Sequence, residues 1–219
     1  MRRPLGPLLS PGAGRCTLGT MQSRQILDQA LADASETLAA FRGADDQMAA
    51  LEDFVDLAAA TLESGARVFT CGNGGSMSDA MHFAQEWTGR LLRERPPLPA
   101  MALSDPAQLT AIANDFGFEQ VFARQLEAHG REGDLLVALS TSGDSENVVR
   151  AVEAAHRLGI RSVGLLGRGG GKLGSQVDLA IVVPLATRPD RIQEVHGKLL
   201  HAVIEAVEEK LFPEPPRDV

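Results

Sequence analysis

Tyrosine is absent, tryptophan occurs once and cysteine twice among 219 residues. With aromatics at 4%, the chain offers no platform on which single-stranded nucleic acid would stack. Cys16 and Cys71 are too few for a disulfide framework, which points to a reducing compartment, the cytoplasm. No apolar run reaches the roughly 18 residues that a bilayer span needs. Basic residues are also in the minority, 21 Lys+Arg against 29 Asp+Glu, for a net charge of −8. Residues 1–20 hold Arg2, Arg3 and Arg15 and no acid, so the remainder is more acidic than the whole. Such a chain is a poor general binder of nucleic-acid backbones. A small anionic ligand held by backbone amides remains compatible with it.

What is present looks globular, 44% hydrophobic and 23% charged, enough for one domain or one domain with an appendage. Residues 1–20 are rich in Pro and Gly, and Pro4, Pro7 and Pro11 break the helix that a targeting peptide would need. They read as a disordered extension or an upstream start. From Gln22 to Phe41 the apolar positions Leu27, Leu31, Ala34, Leu38 and Phe41 form one stripe on a helix. Asp45 and Asp46 then stand where a cap for the next helix is expected. Met48, Leu51, Val55, Ala58 and Leu62 repeat the stripe. The expectation is a helical hairpin over 21–62, packed on the domain that follows or on another subunit.

From 63 to 213 short apolar runs alternate with helical stretches, and 214–219 reads as a tail. The runs Arg67–Cys71, Ala100–Leu103, Leu135–Leu139, Ser162–Leu166 and Leu179–Val183 predict five strands. Segments near 76–91, 106–128, 145–158, 173–177 and 190–211 predict helices. Near-continuous apolar strands separated by helices predict a doubly wound α/β domain, its parallel sheet covered on both faces.

Two strand ends carry glycine and hydroxyls where helices begin. They are Cys71-Gly72-Asn73-Gly74-Gly75-Ser76 and Ser140-Thr141-Ser142-Gly143-Asp144-Ser145. Glycine lets the backbone approach a ligand, while hydroxyls and free amides at a helix start donate to phosphate oxygens. Neither common nucleotide motif is satisfied. A dinucleotide fingerprint needs glycine at 77, where Met77 stands; a Walker loop through Lys172 needs Gly at 166 and Ser or Thr at 173, where Leu166 and Leu173 stand. A serine-rich cradle without lysine suits a monophosphate. Either loop alone is also what an ordinary capped turn looks like. Two of them, after the first and third strands, would flank the ligand-binding switch point of a flavodoxin-like 2-1-3-4-5 sheet.

His82 and Glu86 are four apart on the helix after the first loop, about 6 Å between Cβ atoms on one face. A surface ion pair is the ordinary reading of such a pair. Behind an anion loop and among Met81, Phe83 and Trp87, an inward orientation fits better. On the last helix, Asp190-x-x-Gln193 has the spacing of a capping box. Gln193 and His201 differ by roughly 80° in angle and about 12 Å in rise. They meet at one ion only from opposite ends over the gap at Gly197, from a bent helix, or from different subunits. His196 competes with His201 for any role.

The GNGGS and STSGDS loops and their separation resemble the SIS (sugar isomerase) domain. GNGGSMSDAMHFAQEWTGR, AIANDFGF, GREGDLLVALSTSGDSENV and RIQEVHGKLLH, in that order, resemble phosphoheptose isomerases over residues 21–213. The resemblance implies zinc bound by His82, Glu86, Gln193 and His201, with Glu86 and His201 as the acid/base pair. It implies substrate contacts from Gly74, Gly75, Ser76, Glu86, Asn114, Asp115, Ser140, Thr141, Ser142, Ser145 and Gln193. His129 and His156 match no functional position and read as solvated. The implied reaction turns sedoheptulose 7-phosphate into D-glycero-D-manno-heptose 7-phosphate through an enediol, for ADP-heptose and lipopolysaccharide core synthesis. A cytoplasmic homotetramer with sites near subunit boundaries is implied as well. A His/Glu/Gln set is a weaker-field site than a thiolate one, so the metal's identity is left open.

Three rivals share this fold. A non-catalytic protein of the DnaA initiator-associating type has similar HFA and RIQE-H segments and a similar ending to LFPEPPRDV. The presence of both Glu86 and His201 favours catalysis over it. A phosphosugar-sensing regulator would carry a helix-turn-helix, and residues 1–62 offer no basic recognition helix. An isomerase of another sugar phosphate would use the same machinery.

Overall fold

The computed structural model describes residues 18–185 and 188–213. The expected extension, apart from residues 18–20, and the tail at 214–219 lie outside the described residues. The chain divides into two compact units between Asp33 and Ala34. The first holds the leading turns of helix α1 (Leu18–Arg42), where Ile26, Leu27 and Leu31 are 62%, 60% and 68% exposed. The second holds the end of α1 and every later element.

The five strands that the apolar runs predict form one parallel sheet, in the flavodoxin-like order β2-β1-β3-β4-β5. They are β1 (Val68–Gly72), β2 (Ala100–Ala102), β3 (Leu135–Ser140), β4 (Arg161–Leu166) and β5 (Leu179–Val182). Alternate residues point to opposite faces of a strand, and each face builds its own core. Val68, Leu135, Val137, Leu139, Val163 and Ile181 belong to one cluster; Phe69, Cys71, Leu136 and Ala138 belong to the other. Helices α2 (Asp45–Glu63), α3 (Gly75–Thr88) and α7 (Pro189–Leu211) cover the first face. Helices α5 (Ala123–His129) and α6 (Glu146–Arg157), with α4 (Pro106–Phe116) partly buried beside them, cover the second. In the body, Phe41, Leu51, Phe54, Ala58 and Leu62 sink into the first core, where Phe54, Phe83 and Trp87 form an aromatic row with centroids 6.1 and 5.3 Å apart. Gln47 of α2 also closes the sheet edge, its side-chain oxygen accepting the Val182 amide at 2.5 Å.

Several local expectations are corrected. The single helix expected over 106–128 ends at Gly117 (φ 95°), a 3-10 turn follows at Phe118–Gln120, and α5 starts anew. The left-handed glycine interrupts a periodicity that otherwise runs on. The segment near 173–177 is a single 3-10 turn, Leu173–Ser175. Asp45 does not cap α2, because Ala44 holds the N-cap position; Asp45 and Asp46 lie in the first turn, where they complement the helix dipole. Asp190 caps nothing either. Pro189 takes the first helical position, which makes Arg188 the N-cap residue, and Asp190 pairs with Arg188 and Arg191. Those hydrogen bonds, first of all that from Arg188, hold the Asp190 carboxyl below its ordinary range.

Candidate functional site

Both glycine- and serine-containing loops emerge at the C-terminal ends of the adjacent central strands β1 and β3. Gly74 is the N-cap residue of α3, Gly75 opens the helix, and Ser76 is buried in its first turn. Ser140 ends β3 nearly buried, and hydroxyls gather on it. Its Oγ lies 3.5 Å from Ser142 Oγ and 3.3 Å from Ser145 Oγ, and accepts the Gly143 amide at 3.1 Å. Thr141 lies between them, half-buried. Gly143 has φ 72°, and a Cβ there would come within 1.9 Å of the Gly170 carbonyl oxygen, so no other residue fits. Ser145 is the N-cap residue of α6, yet its hydroxyl makes no cap bond. The hydroxyls and the first amides of α6 thus face the same corner as the start of α3, a cradle for an anion. Asn73 of the first loop and Asn147 in the first turn of α6 tie the two segments together through reciprocal amide hydrogen bonds of 2.8 and 2.9 Å.

Farther along α3, His82 and Glu86 meet His201 of α7, and their candidate ligand atoms all lie within 4.8 Å of one another. His82 Nε2 is 3.0 Å from Glu86 Oε1 and 3.4 Å from His201 Nε2, with the two rings edge to face. Glu86 is largely shielded, whereas His82 is half exposed. Two imidazoles and a carboxylate suit zinc and neighbouring divalent ions. Ligand arms of about 2.0–2.1 Å put tetrahedral neighbours about 3.3 Å apart, close to the spacing of the two ring nitrogens. The residues fit a divalent cation.

Gln193 stands at the other end of the cleft. A Cβ added at Gly75 would lie 2.6 Å from its side-chain oxygen. Helix α7 therefore passes α3 in the same direction, with Gln193 beside the anion loop and His201 beside His82. Gly197 lies between them, and a Cβ there would meet nothing within 4 Å. The resulting cleft of about 470 Å³ is lined by Asp79, Gln193, Gly197, Lys198 and His201 among others. Asn114 and Asp115 stay apart from it, exposed on the last turn of α4 and bonded to each other at 2.8 Å.

His196 is removed from the competition. It is fully buried, faces the Leu166 carbonyl at 3.3 Å, and burial pushes its pKa down to about 4 against a smaller upward pull from that carbonyl. His156 is not simply solvated, since it lies 3.3 Å from Ser162 Oγ and 3.6 Å from Asp178. The sequence reading passed over Asp79, whose position three residues before His82 puts it on the same face. One of its oxygens is buried without a hydrogen bond, and burial raises its pKa against the opposing pull of His82. It also passed over Asn73 and Asn147, for which no spacing rule links two loops so far apart in the chain.

An open parallel sheet with an anion cradle at its switch point and a polar cluster on the adjoining helix defines the class of SIS-domain proteins, and the chain matches the SIS domain over residues 29–167. Within that class its relatives are closely alike. It is 45% identical over 188 residues to a phosphoheptose isomerase of Sodalis glossinidius, covering 86% of this chain and 97% of that one. It is 51% identical over 150 residues to one of Fusobacterium nucleatum, covering 68% and 77%. The structure of phosphoheptose isomerase GmhA from Neisseria gonorrhoeae superposes with a TM-score of 0.75 at 38% identity, over 84% of this chain and 99% of that one. The chain belongs to the phosphoheptose isomerase family.

Proposed function

We propose that this protein is an aldose-ketose isomerase that converts sedoheptulose 7-phosphate to D-glycero-D-manno-heptose 7-phosphate. The observation that carries the reading is the arrangement along α3: an anion cradle at Gly74–Ser76 and a His82, Glu86 and His201 cluster on later turns of the same helix. The step from Ser76 to His82 is about 9 Å along the axis, so a phosphate held by the loops leaves the other end of an acyclic sugar near the cluster. Ser76, Ser140, Thr141, Ser142 and Ser145 bind and orient the phosphate end, which converts remote binding into alignment of the reacting carbons. Asn114 and Asp115 are assigned to substrate on family resemblance alone; here they bond to each other on the exposed last turn of α4.

The reaction exchanges a proton between C1 and C2. A base takes the C1 proton while an acid protonates O2, giving the enediol; the proton is then returned to C2 as O1 loses its own. Glu86 and His201 share these roles, with Glu86 shielded from water and His201 Nε2 beside it. His82, Glu86, Gln193 and His201 are the residues that would hold zinc, whose contribution is to polarise the substrate oxygens. Of these, Gln193 stands beside Gly75, at the anion-loop end of the cleft.

Residues 63–213 would be the phosphosugar-binding domain and 21–62 an N-terminal helical hairpin. The exposed apolar stripe Ile26, Leu27 and Leu31 suits the proposed homotetramer. Among the described residues no helix is long and apolar enough to cross a membrane. Cys71 is buried as a free thiol, its pKa pushed up to about 12 by burial, which suits the cytoplasm. The test is incubation of zinc-loaded protein with sedoheptulose 7-phosphate and detection of the aldose phosphate. Its appearance supports the reading; turnover only of a shorter ketose phosphate moves the substrate, and no turnover of any removes the function.

A further inference from the structure

The ion pair between Arg95 and Glu208 is as deeply buried as any apolar core residue, with side chains 0% and 1% exposed and 2.7 Å between Arg95 Nε and Glu208 Oε1. Burying such a pair is seldom a gain over apolar residues of the same size, so its placement calls for another reason. The hydrogen bonds supply one. Helix α3 ends at Thr88, which leaves its last carbonyls without partners inside the helix. Arg95 donates to two of them, from Nη2 to the Glu86 carbonyl and from Nη1 to the Trp87 carbonyl, each at 2.9 Å. Its positive charge also sits at the negative end of the helix dipole.

Glu208 is as fully used. Its oxygens accept the amides of Leu91, Leu92 and Arg93 at 3.1–3.2 Å in addition to Arg95. Burial pushes the carboxyl up, but the hydrogen bonds from Arg95 and these amides outweigh it and hold its pKa below the ordinary value. Glu208 follows His201 by seven residues, two turns along the same face of α7. One guanidinium thus grips the peptide of Glu86, and its partner carboxylate is carried by the helix that presents His201.

We propose that Arg95 and Glu208 are positioning residues that set Glu86 against His201. This rests on the reading of those two as the acid/base pair. Arg95→Lys keeps the charge but gives up the fork onto the Glu86 and Trp87 carbonyls; Glu208→Gln keeps the shape and gives up the charge. Small misplacements of reacting groups are costly, up to about a hundredfold. The expectation for each variant is a folded protein with kcat down about tenfold to a hundredfold, KM within about threefold, and weaker zinc binding by calorimetry. Variants that lower only the unfolding temperature, with kcat and zinc affinity per folded molecule as in wild type, overturn the proposal. Wild-type protein that neither turns over ketose phosphates nor binds zinc takes down the acid/base reading, and this proposal with it. Wild-type activity beside unaltered variants takes down this proposal alone.

Discussion

His196 shows how one buried side chain ties this fold to pH. Its Nε2 faces the Leu166 carbonyl, so the neutral ring donates there, while Nδ1 is buried with no partner. Charging the ring would add a proton to that isolated nitrogen. The native pKa is about 4 against an ordinary 6.5, so between these values the unfolded chain holds a proton that the native state refuses. Stability is therefore lost as pH falls from about 6.5 toward about 4, by about 3 kcal/mol for the whole interval. His196→Gln keeps a donor for Leu166 and removes the titration. Urea unfolding at pH 7.5 and pH 5 is expected to show a smaller loss in this variant than in wild type; equal losses would contradict the account. At this scale the sequence was only partly legible. Histidines 196 and 201 share one helix, and the pattern of apolar neighbours did not separate the core residue from the cleft residue, because that depends on how α7 is rotated against β4 and α3.

The two elements that matter most are the loops after β1 and β3, because the site needs them in register. Asn73 and Asn147 supply the only side-chain hydrogen bonds described between those two segments. Asn73→Ala and Asn147→Ala are each expected to raise KM for the sugar phosphate with kcat little changed. In a double-mutant cycle the pair should couple by about 1 kcal/mol. Additive effects would mean that the loops are held by other contacts. Strands and long helices were legible because their apolar periods are strong. The break inside 106–128 was not, since Gly117 resets the chain locally while the periodic pattern ran past it. The loop pairing was invisible for a different reason: 74 residues separate its partners.

For the molecule as a whole, a doubly wound sheet of five parallel strands was readable from five apolar runs and the handedness of crossovers, whereas the order β2-β1-β3-β4-β5 was expected only from the flavodoxin-like fold of the family that the loops resemble. The stripe on α1 was read as one surface, but it divides. Leu38 and Phe41 pack into the core of the body, whereas Leu27 and Leu31 are exposed. If the exposed part is a contact in the proposed tetramer, Leu27→Asp with Leu31→Asp should lower the sedimentation mass from that of the proposed tetramer to smaller species. An unchanged mass would place the contact elsewhere. The four expected metal ligands could be picked out of the sequence by resemblance, but only the fold shows three of them gathered and Gln193 beside the anion loop.

The most direct test of the central claim is the isomerase rate on sedoheptulose 7-phosphate for wild type, Glu86→Gln and His201→Ala, each with zinc and after chelation. The account predicts turnover by the zinc-loaded wild type, a loss of about 10²-fold to 10⁴-fold in each variant, and a fall in the wild-type rate on chelation. Full activity in either folded variant, or none in the zinc-loaded wild type, would contradict it.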